Sequence, residues 1–364
     1  MASRARIDTF FLSSTALLAV AGFVIFLSAS LGLLAQNGAS FGSVALKQAL
    51  SLAIGAGAFY LFSRVKYTFL RRISLGILVA AVGVNLLLFI PALALHYNGA
   101  SRWIDLGPVS FQPSEFLKIA FIIYLAAWIQ FAKDRIKRMK YGLLPYVLLM
   151  AVLGSLLLVQ SDTDTLFVIA VTGIAMLWIA GMPMRHVVLA VATIGCVVAG
   201  VIFFRPYALE RVKVYLNMAP KSQDANYQIN QSLIAIGSGG VFGRGFGQSI
   251  QKFGYLPQAT DDSIFAVAAE EFGFVGMTVL LGLYCMFAAA AFRVGTRAQD
   301  PFGAMVACGF AVLVVAESFL NMAAMLGLMP ISGIPLLFIS HGGTALIITL
   351  VAAGIVANIS KYKK

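Results

Sequence analysis

Residues 10–34 read FFLSSTALLAVAGFVIFLSASLGLL, an apolar stretch without a charged side chain. A helix that crosses a bilayer needs about 20 mostly apolar residues, so this stretch predicts a transmembrane helix. It is longer than the apolar core of a signal peptide and has no convincing cleavage site, and we therefore expect it to be retained. Nine more stretches have the same character: 44–62, 73–95, 115–131, 142–159, 164–181, 185–204, 264–292, 302–328 and 336–358.

The composition supports this interpretation. Hydrophobic residues make up 60% of the 364 residues and charged residues 11%, whereas a soluble chain has about 25% charged residues. The sequence therefore predicts an all-α integral membrane protein with ten transmembrane helices in a single domain, 1–364. The net charge of +12 does not indicate a nucleic-acid partner, because the basic residues form short clusters between the apolar stretches.

The basic clusters also predict the orientation. Segments 64–72, 133–140 and 361–364 are rich in Lys and Arg, while the alternate short connections hold few. Positively charged loops stay in the cytoplasm, so we expect both termini there. The segment at about 205–262, between the seventh and eighth spans, is then extracytoplasmic. Its many aromatic residues argue for a packed loop rather than a disordered one.

Charged residues near the fourth span form the first candidate site. Glu115 and Lys118 are three positions apart and share one helix face, so they can pair. Two interpretations stay open: a structural ion pair, or a lysine held by Glu115 and aimed, together with Arg102, at an anionic headgroup.

Two further polar segments lie outside the predicted spans. Asp162 and Asp164 separate the fifth and sixth spans, where they could form a capped turn, bind a divalent cation or face the long loop. The glycine-rich segment 237–247 lacks the Gly-Lys-Ser/Thr ending of a P-loop. It could be a packed loop that needs glycine for its backbone, or it could contact a phosphate directly.

Two pairs of acids mark the point where the long loop re-enters the membrane. Asp261 and Asp262 could cap the eighth span at the positive end of its dipole. Glu270 and Glu271 follow about two turns later, and capping does not explain them. Partly desolvated carboxylates can act as general bases, so these acids are candidates for chemistry.

Several motifs occur together and in a fixed order. They are these: Gly99-Ala-Ser-Arg-Trp-Ile, Phe111-Gln-Pro-Ser-Glu-x-x-Lys118, Arg205-Pro-Tyr, Tyr227-Gln-Ile-Asn-Gln-Ser, Asp262-x-Ile-Phe-Ala-Val-x-x-Glu-Glu-x-Gly273 and the segment 327–344. Together they resemble the SEDS family of membrane proteins, which includes FtsW, RodA and SpoVE. Within that family, segment 243–257 is more similar to the division member FtsW than to the elongation member RodA.

The resemblance implies a bacterial peptidoglycan polymerase in the cytoplasmic membrane at the division septum. Its substrate would be lipid II, the undecaprenyl-pyrophosphate-linked disaccharide pentapeptide. Its partners would be a class B penicillin-binding protein, which is a transpeptidase, and other membrane proteins of the divisome. Asp262 matches the family's essential aspartate, Glu115 and Lys118 match its pair on the fourth span, and Asp162 and Thr165 match a Gln-Pro-Asp-x-Gly-Thr motif. Ser340 lies in the last motif.

The chain departs from the family pattern at several positions. Asp261 stands where the family usually has Thr, and is thus an extra acid beside Asp262. His341 replaces a Tyr, and Glu317 replaces a Gln on the ninth span. Ser161 and Asp164 replace the Pro and Gly of the family motif. These changes bear on the electrostatics of the site rather than on the resemblance.

The mechanism we expect is inverting glycosyl transfer, with Asp262 as general base for the acceptor hydroxyl. Positive charge must meet the leaving pyrophosphate, and a divalent cation, Mg²⁺ or Mn²⁺, could help, with Asp162 and Asp262 as its ligands. Glu270, Glu271, Asp261, Thr165 and Ser340 would be supporting polar groups. The basic candidates for the pyrophosphate are Arg102, Lys118, Arg211, Lys213 and Arg244.

Three other functions stay open. A lipid II flippase would need a polar path through the membrane midplane, and the acids cluster instead at one face. A scaffold that only recruits a penicillin-binding protein would leave Asp262 and the pair of Glu115 and Lys118 without a role. An elongation polymerase of the RodA type is the third alternative.

Overall fold

The computed structural model describes residues 6–35, 41–97, 100–105, 107, 110–204, 209, 224–331 and 333–362. Helices dominate these residues. In chain order they are α1 (Thr9–Ser30), α2 (Phe41–Arg64), α3 (Tyr67–Arg72), α4 (Ser74–Leu86), α5 (Pro113–Ala132), α6 (Leu143–Val159), α7 (Thr163–Ile179), α8 (Met184–Phe204), α9 (Asp224–Gly239), α10 (Ile264–Arg297), α11 (Pro301–Met325) and α12 (Gly343–Ile359).

The chain is a multi-pass membrane protein. Five helices, α1, α2, α5, α10 and α11, are long and apolar enough to cross a bilayer, and α4, α6, α7, α8 and α12 are shorter apolar helices. Each of the ten matches one predicted stretch. That all ten cross the membrane, with both termini in the cytoplasm, stays a prediction.

Burial separates central from peripheral helices. In α5 and α11, 67% of the most apolar window is buried inside the protein, against 11% in α2. The two central helices pack against each other, and α11 also packs on α7 and α10. Charged residues on α5 and α11 are therefore removed from both lipid and water.

The expectation of an all-α chain is wrong in one region. Strands β1 (Ala94–Tyr97), β2 (Ala100–Asp105) and β3 (Ser110–Phe111) form an antiparallel sheet in the order β1-β2-β3. Ala94 pairs with Ile104, and Ile104 pairs with Phe111. The third span was predicted over 73–95, but α4 ends at Leu86 and β1 begins at Ala94. An apolar stretch alone does not distinguish a helix from a strand.

Two other boundaries also moved. The tenth stretch was predicted over 336–358, but α12 begins at Gly343, and residues 337–341 form a turn and a bend. Part of the long loop is helical, since α9 covers Asp224–Gly239. The packed loop predicted from its aromatic content therefore contains a helix that its weak apolar pattern did not reveal.

Helix α10 is broken at Gly273, whose φ of 64° lies outside the helical range. A Cβ at this position would lie 2.3 Å from the backbone nitrogen of Gly243, so a side chain is excluded. Residues 264–271, before the break, are all buried, whereas Phe274 and Val275 are exposed. The break joins a segment inside the protein to a segment that faces outward.

Candidate active site

Asp262 lies in the turn before α10, and it is half-buried. The N-cap position of α10 is Ser263, so neither Asp261 nor Asp262 is the helix cap that the sequence left open. Gln228 of α9 reaches this turn instead. Its Nε2 donates to Asp262 Oδ1 at 3.4 Å and to Ser263 Oγ at 2.8 Å. A carboxylate with solvent access can exchange a proton with a substrate.

The backbone of this turn is held by hydrogen bonds from two other segments. Asn321 of α11, fully buried, donates through Nδ2 to Asp262 O at 2.7 Å and to Ile334 O at 2.8 Å. Ser340 Oγ donates to Asp261 O at 2.6 Å. Hydrogen bonds to these carbonyl groups restrict the backbone on both sides of the Asp262 nitrogen.

A buried ion cluster lies between α5 and α11. Lys118 Nζ donates to Glu115 Oε1 at 2.9 Å and to both carboxylate oxygens of Glu317 at 2.7 Å. All three residues are at most 3% exposed. The expected pair of Glu115 and Lys118 is thus present, with a third member on α11. This geometry resembles the structural alternative more closely than a lysine aimed at a headgroup.

Arg102 of β2 joins the polar turn before α7. Its Nη2 donates to Ser161 O, and its Nη1 lies 3.9 Å from Asp162 Oδ1 and 3.7 Å from Asp164 Oδ2. Asp162 also caps α7 by accepting from the backbone N–H of Thr165. Arg102 Nε is buried and has no hydrogen-bond partner among the described residues, so it keeps a donor for a ligand.

The two centres are neighbours on α11. Glu317 belongs to the ion cluster and Asn321 anchors the Asp262 turn, and residues four apart share one helix face. The rise of a helix puts them about 6 Å apart along its axis. The sequence suggested both groups separately, and the fold places them side by side.

An apolar cavity of about 520 Å³ opens between α6, α7, α8 and residues Met329, Pro330, Ile331 and Ile334. Asp164 and Ile334 line this cavity, and both also line the small polar space beside Arg102 and Lys118. Apolar volume and charged groups thus meet at one place. Such an arrangement suits a ligand with an apolar tail and a charged head.

Glu270 is buried and makes hydrogen bonds to the glycine-rich loop. Its carboxylate accepts from Ser249 Oγ at 2.5 Å and from the backbone N–H groups of Ile250 and Gln251 at 3.1 and 3.2 Å. Arg244 Nε lies 3.4 Å from it. This network ties the loop to α10, so Glu270 has little capacity left for a substrate.

Glu271 pairs with Lys252, which is 1% exposed. Lys252 Nζ donates to Glu271 Oε1 at 2.6 Å and to Ser28 O of α1 at 3.0 Å, and Ser28 Oγ also donates to Glu271. The ion pair of Lys252 and Glu271 therefore connects the loop that contains Lys252 to α1. Sequence reasoning missed Lys252, because a lysine in a glycine-rich loop is usually solvated.

The glycines of the loop allow close packing on α10. A Cβ at Gly243 would lie 2.1 Å from Glu271 O, and one at Gly239 would lie 2.1 Å from Ala269 O. The packed-loop alternative thus accounts for these glycines. Arg211 and Lys213 lie outside the described residues. Gln228 was also missed as a site residue, since α9 itself was not predicted.

A divalent cation would find few ligands here. Within the described part of the chain, no three His, Cys, Asp or Glu side chains converge. Mg²⁺, however, is often held by one or two carboxylates together with substrate phosphates. Asp162 fits that role, because its Oδ2 is buried and lacks a hydrogen-bond partner among the described residues.

Comparisons with known proteins agree with the motifs. A family profile described as "Cell cycle protein" and named for FtsW, RodA and SpoVE matches residues 8–364. The probable peptidoglycan glycosyltransferase FtsW of Geobacter sulfurreducens is 38% identical over 322 residues, which cover 87% of this chain and 85% of the relative. Stage V sporulation protein E of Bacillus subtilis is 34% identical over 322 residues, covering 88% and 87%.

A solved structure has the same fold. One chain of a peptidoglycan synthase complex, whose structure concerns the coordination of polymerization and crosslinking, superposes with a TM-score of 0.80 at 25% identity. The match covers 98% of this chain and 99% of that chain. The similarity therefore extends over nearly the whole length of both chains.

Proposed function

The chain belongs to the FtsW, RodA and SpoVE family, and we propose that this peptidoglycan glycosyltransferase polymerises lipid II with Asp262 as its general base. One observation carries the proposal: the half-exposed Asp262 lies on a turn whose backbone is fixed by Asn321. Asn321 is one helical turn along α11 from Glu317 of the ion cluster. A base must be accessible and also fixed in position to contribute to catalysis.

In the proposed step, a carboxylate oxygen of Asp262 takes the proton of the acceptor sugar's 4-hydroxyl. The resulting oxygen attacks the anomeric carbon of the donor sugar. A new glycosidic bond forms, the bond from that carbon to the pyrophosphate oxygen breaks, and the anomeric configuration inverts. The electron pair leaves with the pyrophosphate, so a protein acid is not required if the charge is met.

We assign that charge first to Arg102. Its contacts with Asp162 and Asp164, at 3.9 and 3.7 Å, are longer than hydrogen bonds, and its Nε has capacity to donate. Lys118 is already matched by two carboxylates, so we assign it the task of holding α5 against α11 under the headgroup. Arg211 and Lys213 remain candidates for the rest of the charge.

A divalent cation is a further part of the proposal. Mg²⁺ or Mn²⁺ would be held by Asp162 and the substrate phosphates, and when bound it would offset negative charge on the leaving group. The isoprenoid tail of the substrate would enter the apolar cavity between α6, α7 and α8. Glu270 and Glu271 take no part in the chemistry and instead position the loop.

The cellular role follows from the relatives. Several of them are named FtsW, and segment 243–257 also resembles that member. We therefore propose a role at the division septum, with a class B penicillin-binding protein and other divisome membrane proteins as partners. An elongation role of the RodA type is the alternative.

The test is polymerisation of labelled lipid II by the purified protein with its cognate penicillin-binding protein. We expect Asp262→Asn to abolish glycan chains while the protein stays folded and partner-bound, and Asp261→Asn to retain them. Normal polymerisation by Asp262→Asn would refute the mechanism. If the wild type makes no chains but moves lipid II across vesicles, the protein is a flippase.

A further inference from the structure

His341 and Asp261 contact each other beside the proposed base. His341 Nδ1 lies 3.4 Å from Asp261 Oδ1, and the two side chains are 38% and 39% exposed. Each residue departs from the family pattern described above, one replacing a Tyr and the other a Thr. The two departures are thus partners in space, although 80 positions separate them in the sequence.

The surrounding structure fixes this pair. The backbone N–H of His341 donates to Thr260 O at 2.8 Å, and Ser340 Oγ donates to Asp261 O at 2.6 Å. The imidazole stacks on Phe26 of α1, with ring centroids 5.6 Å apart and planes inclined by 21°. Because both backbones and the imidazole ring are held, the ring stays beside the Asp261 carboxylate.

An extra carboxylate next to the base creates an electrostatic problem. Two adjacent anions repel each other and also repel a substrate that carries a pyrophosphate. An Nδ1–H of His341 can donate to Asp261, and the imidazolium form also cancels its charge. Either effect favours the observed position of the Asp261 carboxylate beside His341.

We propose that His341 and Asp261 form one positioning pair, in which His341 holds and offsets the Asp261 carboxylate so that Asp262 alone meets the acceptor hydroxyl. This inference rests on the proposed function. The pair acts through the orientation and charge around Asp262. It is not expected to stabilise the fold, because half-exposed ion pairs contribute little to stability.

The experiment is a double-mutant cycle of His341→Gln and Asp261→Asn, with kcat and KM for labelled lipid II measured separately. We expect His341→Gln to lower kcat/KM by about tenfold, with a higher KM for the anionic substrate. The reason is that the Asp261 carboxylate loses the imidazole that offsets its charge. Asp261→Asn should change kcat/KM by no more than about threefold, and adding His341→Gln to it should have no further effect.

A conservative variant separates charge from structure. His341→Lys places a cationic donor beside Asp261 and should recover most of the activity that His341→Gln loses, with an unchanged unfolding temperature in all variants. The pairing would be overturned if His341→Gln lowered kcat/KM equally in the wild-type and Asp261→Asn backgrounds, or if it lowered kcat/KM in neither. The Asp262→Asn variant is run in parallel, because activity in that variant refutes the proposed function itself rather than the pair.

Discussion

Two pairs of consecutive acids lie within ten residues of each other, and they differ in burial and in hydrogen bonding. Glu270 and Glu271 are each 1% exposed, and their carboxylates accept from serine hydroxyls, backbone N–H groups and Lys252. Asp261 and Asp262 are half-exposed. Their carboxylates contact His341 and Gln228, and their backbone carbonyl groups accept from Ser340 and Asn321. The two pairs therefore differ in burial: one is enclosed by the protein, and the other keeps access to solvent.

The difference separates structural from chemical carboxylates. A buried acid whose oxygens accept several hydrogen bonds stabilises the segments that donate them, but a substrate cannot reach it. An acid with solvent access on an immobilised turn can exchange a proton with a substrate. Burial alone would have singled out the glutamates as the functional pair.

The largest effect on stability should come from Lys252→Met. This change leaves Glu271 buried without its cation, and breaking a buried ion pair by removing one partner costs about 3–5 kcal/mol. Thermal unfolding in detergent measures it, and Glu271→Gln in the same chain should restore part of the loss. An unfolding temperature equal to that of the wild type would mean that the pair is not structural.

Gly273→Ala should lower the free energy of unfolding by about 3 kcal/mol, the next largest loss. A positive φ is strained for residues other than glycine, and the new Cβ would clash with the backbone of Gly243. The matched control is Gly282→Ala, on the same helix, where a Cβ meets nothing within 4 Å. Urea or thermal unfolding of the two variants gives the comparison. Similar stabilities would show that the break in α10 carries no constraint.

Asn321→Leu tests the other side of the comparison. It removes the donor for the carbonyls of Asp262 and Ile334, which should cost about 2 kcal/mol of stability. Polymerisation per folded molecule should also fall by about tenfold, because the Asp262 turn becomes loose. A loss of stability without a loss of activity would show that fixing this backbone does not matter to the chemistry.

Gln228→Met should have the smallest effect, about 1 kcal/mol in the activation barrier, because it removes the long hydrogen bond to the Asp262 carboxylate. It also removes the hydrogen bond to Ser263 Oγ. The lipid II assay should show a rate decrease of about three- to tenfold, and the unfolding temperature should fall less than it does for Asn321→Leu. A decrease as large as that of Asp262→Asn would instead place Gln228 among the catalytic groups.

Much of the fold could be predicted from the sequence. Apolar length alone located ten helical segments, because the membrane makes each span a continuous run. The spacing of Glu115 and Lys118 correctly placed them on one helix face. Helix α9 and the sheet were missed, since α9 is weakly apolar and the strands continue an apolar stretch. The dipeptide Asn98-Gly99, typical of tight hairpins, is the signal that could have indicated the strands.

The site could be predicted only in part. Only the resemblance to the family identified Asp262 as the general base. Its position at the start of the eighth span did not distinguish it from Glu270 and Glu271 nearby. Contacts across helices, such as Lys118 with Glu317 and Lys252 with Glu271, join residues whose relative position depends on packing. Local spacing carries no information about such pairs, so the sequence could not distinguish a buried, ion-paired carboxylate from a solvent-accessible one.

The most direct measurement compares Asp262→Asn and Glu271→Gln in one experiment, with unfolding temperature and lipid II polymerisation measured on equal amounts of folded protein. We expect Asp262→Asn to keep the wild-type unfolding temperature and lose polymerisation by about 10²–10⁴-fold, the range typical of a general base. Glu271→Gln should unfold at a lower temperature and stay active per folded molecule. An active Asp262→Asn together with an inactive, stable Glu271→Gln would contradict this assignment of the two acid pairs.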